Sequence, residues 1–313
     1  MTASASSADT IGVEITARAW AAIAGGYDLH VHAEPDLARR RTDDLDLAGD
    51  FMARGLAGFV LKSHYVPTGE RAAVVTRAVP GIEAYGAISL NHGVGGLNPV
   101  AVDIAGRSRT KMVWLPTIDA ANEEEGSKIE MARPPVWVAI KHEMEQRDWI
   151  KGPVSVFDAA GEPVPALLEC LDALAEHGMI LATGHLSRDE IFRLVPLTSE
   201  RGVDRVVVTH PEYPSQNLSA ADQRLLADQG AYLEHCFTTA HTGKCTWEAM
   251  FDNIRATGVE QTIITTDLGQ VQNPPVAEGL AAFAQRLLDA GWSNDDVRTM
   301  VVRNPRWLLG RDN

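Results

Sequence analysis

Eight short apolar runs recur along the chain, and stretches with helical spacing lie between them. The runs cover 27–32, 58–65, 83–91, 111–118, 179–185, 205–210, 231–237 and 261–267. They are rich in Val, Ile, Leu and Thr, and several are nearly unbroken. Strands buried on both faces read this way, as in a parallel sheet. Helix patterns follow at 45–54, 165–176, 187–197, 219–229, 244–256 and 275–290. Ser187 and Ser219 stand as caps before acidic first turns. Eight strands alternating with helices predict a (β/α)8 TIM barrel. A doubly wound open sheet is the competing architecture. Its first strand would feed a glycine-rich phosphate turn, and none is present. Barrels run to about 250 residues and beyond, so the 313 residues read as one domain spanning 1–313.

One connection exceeds a single helix. Residues 119–161 hold an acidic patch at 123–125, a Pro134-Pro135 step and two β-like runs, 136–140 and 154–157. The two runs are expected to pair as a β-hairpin. An insertion after strand 4, about 120–160, sits where strand C-termini open, so it reads as a lid. The closing segment 294–309 reads as a short helix that packs Trp307 and Leu308 back onto the barrel.

The motif that carries chemistry is Asp28-Leu29-His30-Val31-His32. Strand side chains alternate, so Asp28, His30 and His32 are expected on one side. Two imidazoles so spaced at a strand's end can chelate one divalent metal, with Asp28 as a supporting acceptor. His185 ends the fifth run, His210 the sixth and Asp267 the eighth. In a barrel these ends converge on one mouth, where a buried polar group must find a partner.

On these residues the chain resembles the metal-dependent hydrolases of the amidohydrolase superfamily, over roughly 27–309. That resemblance implies His30 and His32 from strand 1, His185, His210 and Asp267 as ligands. It implies a divalent metal, one or two ions, with zinc favoured and Mn, Fe or Ni admissible. It further implies a metal-activated water with Asp267 as general base, and relatives that are often homo-oligomers. The departure is strand 4, where relatives often carry a bridging lysine or glutamate. Lys111 lies at the wrong end of its run. Lys62, embedded near the end of the second run, is the expected bridging ligand after carboxylation. A substrate-binding ammonium and a structural ion pair are the alternatives.

His64, Tyr65, Asn91, His92, Tyr213 and His235 are expected to line the substrate pocket. Glu34, Asp36, Glu212 and Glu234 stand near the same mouth, and Lys141 and His142 are candidates to reach it from the insertion. The expected activity is hydrolysis of an amide-type C–N bond in a small molecule. Lactone or phosphoester hydrolysis, a mononuclear decarboxylase or deaminase, and a non-catalytic metal-binding barrel compete with it. A trinuclear PHP-type phosphoesterase fits less well, since it needs a denser ligand set. No GxSxG elbow supports a serine triad.

Charge narrows the partners. Twenty-eight Lys and Arg against 42 Asp and Glu give −14, a poor match for nucleic acid or an anionic membrane. Three cysteines without a CxxC pair argue against a disulfide framework or a thiolate zinc site. The first nine residues lack basic and apolar regions of a signal peptide, so a cytoplasmic location is expected.

Overall fold

The computed structural model describes residues 11–126 and 136–311. Eight strands follow one another round one sheet in chain order. They are β1 Tyr27–Val31, β2 Gly58–Leu61, β3 Glu83–Ser89, β4 Thr110–Trp114, β5 Ile180–Ala182, β6 Val206–Thr209, β7 Tyr232–Cys236 and β8 Thr262–Thr265. Every neighbouring pair is parallel. The chain just past β8 returns to β1: Asp267 N–H donates to His30 O at 2.9 Å, and His32 N–H to Leu268 O at 2.8 Å. The sheet therefore closes, and the (β/α)8 expectation holds.

The apolar runs are explained by two cores. Leu29, Val60, Met112, Trp114, Val207 and Ile263 fill the inside of the barrel, where Leu308 and Leu309 close its floor. Their strand neighbours face outward to the helices: Phe59 and Ile264 on one side, Val113, Val208 and Leu233 on the other. Both faces being dry, alternation of polarity is lost from the sequence.

Ser187 caps the helix Arg188–Glu200 and Ser219 caps Ala220–Asp228, each in a reciprocal box with the residue three further on. The pattern at 244–256 folds as the helix Trp247–Thr257, capped by Thr246, and a short helix Phe237–His241 precedes it.

The expected hairpin is absent. Val136–Gln146 is a helix, while Val154 bridges Ala120 and Phe157 bridges Pro163. Val136, Val138 and Ile140 alternate, but Val136, Ile140 and Met144 also recur every four residues. The strong helix formers at 141–146 decide between the two periods. The Pro134-Pro135 step of the lid expectation lies outside the described residues. At the C-terminus the helix Asn294–Arg298 leads through a π turn, Thr299–Arg303, into Asn304–Leu308. Leu308 enters the barrel, but Trp307 does not. It stays at the surface, stacked on Tyr232 at 5.3 Å and lying under Arg205.

Candidate metal centre

β1, which opens the site, breaks its own alternation. Asp28 pairs with Phe59 and Val31 with Leu61, three steps against two. The extra residue is a bulge. Leu29 packs inside the barrel, and His30 beside it also points inward, its ring 5.3 Å from Trp114. Asp28 therefore does not join the histidines as expected. It accepts from Thr266 Oγ1 at 2.6 Å and from the Thr266 and His30 N–H groups, tying β1 to the chain after β8. Burial pushes its pKa up to about 7.

His30 Nε2 and His32 Nε2 each lie 3.2 Å from Asp267 Oδ1. These three atoms all fall within 4.8 Å of one another. Lys62 Nζ is 2.9 Å from His30 Nε2 and 4.9 Å from the Trp114 ring centroid. The His185 and His210 rings are 4.9 Å apart. Both open onto a cavity of about 460 Å³ shared with His32, Lys62 and Asp267. β5 stops at Ala182, so His185 stands past the strand, on a turn made by Gly184. There φ is +62°, and a Cβ would sit 2.3 Å from Leu115 O. His210 and Asp267 also have positive φ, 26° and 51°. Side-chain-bearing residues held in such conformations cost about 1–3 kcal/mol each, and they gather at functional sites.

Three of the rings, His30, His64 and His185, are held from behind. His30 Nδ1 is 3.2 Å from Glu234 Oε1, which also accepts from Thr265 Oγ1 at 3.0 Å. A carboxylate on the rear nitrogen fixes the tautomer and leaves Nε2 facing the cavity side as a lone pair. His185 Nδ1 lies 3.0 Å from Glu123 Oε1, and His64 Nδ1 2.9 Å from Thr117 Oγ1. Burial lowers His32 to about 3 and takes His64 and His210 well below the ordinary imidazole range. Those three rings are neutral at neutral pH, the form that binds metal. Burial alone would raise the Asp267 pKa, but His30, His32 and Lys62 outweigh it and keep the carboxyl ionised. Burial lowers the Lys62 pKa, against the pull of Asp267 and Glu234.

These donors suit a divalent ion. They are imidazoles and one carboxylate, converging and almost dry. His32 Nδ1 and His210 Nδ1 are buried without a hydrogen-bond partner among the described residues. Nitrogen and carboxylate sets of this kind hold zinc and its neighbours in the transition series.

Of the expected substrate residues, His64, Tyr65 and Tyr213 line the cavity. Tyr213 lies against His210 and His185, at 4.8 and 5.9 Å. Three others do not line it. His235 faces the helix layer, its Nδ1 2.8 Å from Glu212 Oε1, with Asn253 on the same oxygen at 2.9 Å. Glu234 is its neighbour and points in, so period two sends His235 out. Asn91 is a brace: it donates to Thr117 Oγ1 and His64 O, and accepts from Thr117 N–H. His92 turns to Gly152 O at 2.9 Å. From the insertion, Lys141 Nζ reaches Ile118 O at 3.4 Å, while His142 is exposed beside Glu145. Arg39, Arg40, Glu123, Thr238 and Lys244 line the cavity without having been expected there. For two of them a signal existed: the run Arg39-Arg40-Arg41 stands in the loop that follows the His-bearing strand.

The model of a family of unknown function, DUF6282, matches residues 25–234, two thirds of the chain. The chain belongs to this family. The DUF6282 match takes in His30, His32, Lys62, His185 and His210, and ends at Glu234, before Asp267. No curated protein matches the sequence. Solved structures share the fold at low identity. The probable dipeptidase PvdM from Pseudomonas aeruginosa superposes with a TM-score of 0.61 at 13% identity, covering 94% of this chain and 96% of that one. An amidohydrolase from Pseudomonas aeruginosa gives 0.57 at 11%, over 97% and 98%. A weak promiscuous lactonase template for engineered organophosphate hydrolysis gives 0.56 at 14%, over 92% and 97%. This DUF6282 chain thus has the barrel of proteins whose names include an amidohydrolase, in keeping with the resemblance read from its sequence.

Proposed function

We propose that the protein is a metal-dependent hydrolase that cleaves an amide-type C–N bond in a small molecule. The observation that carries this reading is the convergence of His30 Nε2, His32 Nε2 and Asp267 Oδ1 within 4.8 Å, beside Lys62 and at the base of a cavity also lined by His185 and His210. The names of similar folds, a dipeptidase and an amidohydrolase among them, support it by analogy.

His30, His32, His185, His210 and Asp267 would hold the metal, with Lys62 as the bridge if two ions bind. A divalent ion held by these residues would supply a water whose pKa falls from ~15.7 to about 7, and would polarise the scissile carbonyl. Asp267 takes the proton of the attacking water and passes it to the leaving nitrogen. Thr238 Oγ1, 3.1 Å from Asp267 Oδ2, keeps that carboxylate oriented. Burial lowers the Lys62 pKa, which raises the share of uncharged amine that carboxylation needs. Its nitrogen adds to carbon dioxide and loses a proton, giving an anionic carbamate.

Elemental analysis of protein purified without added metal is expected to find one or two divalent ions per chain. Asp267→Asn should lose turnover by about 10²-fold or more, the scale of a lost general base. Protein that takes up no metal, or that hydrolyses nothing in a panel of amides, lactones and phosphoesters while loaded, refutes the reading.

A further inference from the structure

We propose that the substrate of this site is a small acid, whose carboxylate is held at the rim by Arg39 and Lys244. This inference rests on the hydrolase reading for where the scissile bond lies.

The cavity runs against the charge of the molecule. The chain carries −14, yet its wall includes Arg39, Arg40, Lys62 and Lys244 against two acids, Glu123 and Asp267. Both acids are already engaged. Glu123 holds His185 at 3.0 Å and accepts from Ser215, and Asp267 lies between His30 and His32. Two of the four cations are likewise accounted for. Arg40 is locked to Asp36 at 2.6 Å, and Lys62 lies deep against His30.

Arg39 and Lys244 differ. Both are exposed, both line the cavity, and neither has an acidic partner among the described residues. Lys244 Nζ rests 4.5 Å from the centroid of the Tyr213 ring, the same ring that packs on His210. Arg39 is carried on a braced edge. Its neighbour Arg40 bridges Gln270, and Arg41 N–H donates to Gly269 O at 2.8 Å. The two cations therefore stand on the segments after β7 and β1, flanking the one that follows β8. The catalytic aspartate lies at the start of that middle segment.

Such an arrangement recognises an anion by charge and leaves the metal end to recognise the amide. A cavity of about 460 Å³ suits a compact molecule, at the lower end of the usual range for ligand sites. A forked guanidinium matches a carboxylate in shape, and the neighbouring ammonium adds a point charge. A phosphoryl group offers similar oxygens, so the test must separate the two.

The probes are glutarate, its dimethyl ester and inorganic phosphate, titrated calorimetrically into the metal-loaded full chain. Glutarate is expected to bind about tenfold or more tightly than the ester, and R39A/K244A to lose about tenfold on glutarate with its metal content unchanged. Glutarate binding should also weaken with salt, because both cations are exposed. K244R should retain most of the binding. Equal binding of glutarate and ester overturns the proposal, as does undiminished glutarate binding by R39A/K244A. Phosphate binding tighter than glutarate, with the same dependence on the two residues, overturns the carboxylate in favour of a phosphoryl group. The two readings fail separately. Turnover of neutral amides as efficiently as their acidic counterparts refutes the small acid and leaves the hydrolase. Glutarate binding that depends on Arg39 and Lys244, with no amide hydrolysed, refutes the hydrolase and leaves the anion site.

Discussion

Glu234 shows how much a single side chain behind a ligand can decide. It is fully buried, touches His30 Nδ1 at 3.2 Å and has no access to the cavity. Glu234→Gln keeps the shape and removes the charge that makes His30 a better donor. The expected result is a loss of about 10–100-fold in metal affinity, read by chelator competition, with the circular dichroism of the fold unchanged. Gly184 works through the backbone instead. Gly184→Ala would force a Cβ into Leu115 O at 2.3 Å and Pro116 O at 2.5 Å, at a φ of +62°. His185 must then move. The variant should unfold about 1–2 kcal/mol more easily, the cost of a strained φ, in denaturant titration. At this scale the sequence was an uneven guide. His30, His32, His185, His210 and Asp267 were legible because each stands in or at the end of an apolar run, where a polar side chain needs a reason. Lys244 was not, because a loop residue has no period to violate, and for Arg39 the run of three arginines was the one sign. His235 was misjudged although its own strand excluded it: Glu234 and His235 are adjacent and cannot face the same way.

Elements show where phase, rather than composition, was hidden. Eight strands were readable because each is buried on both sides. The bulge in β1 was not, since nothing in Asp-Leu-His-Val-His marks which residue is extra, and only pairing with β2 exposes it. The helix Val136–Gln146 was missed because its first residues satisfy the periods of both strand and helix. Between elements, the Glu212–His235 contact joins the segment after β6 to β7 and, through Asn253, to the helix Trp247–Thr257. Burial alone would raise the Glu212 pKa, but His235 and its other partners bring it below the ordinary glutamate value. A depressed carboxylate stabilises the fold above its unfolded pKa, and that contribution is lost as pH falls through the folded one. Glu212→Leu should therefore cost about 3 kcal/mol or more near neutral pH. The gap between variant and wild type should narrow below pH 4.5 in urea titrations run across that range.

At the scale of the whole molecule, a bound metal would be coupled to stability. The candidate ligands come from β1, from the ends of β2, β5 and β6, and from the chain after β8, so one ion would tie distant parts of the barrel together. Binding to the folded state alone adds about 2.7 kcal/mol at a free concentration a hundred times Kd. Chelation should thus lower Tm by about 5 °C or more, and readdition of the metal should restore it, in differential scanning calorimetry. The same assembly has a direction. Leu308 and Leu309, from the last turn of the chain, stopper the barrel opposite the histidines. With the floor so closed among the described residues, whatever is released from this site would retreat along the path by which its precursor came in. Spent fragments and fresh molecules would queue at the same threshold, and the slower of the two fragments to depart would set the pace for the next arrival.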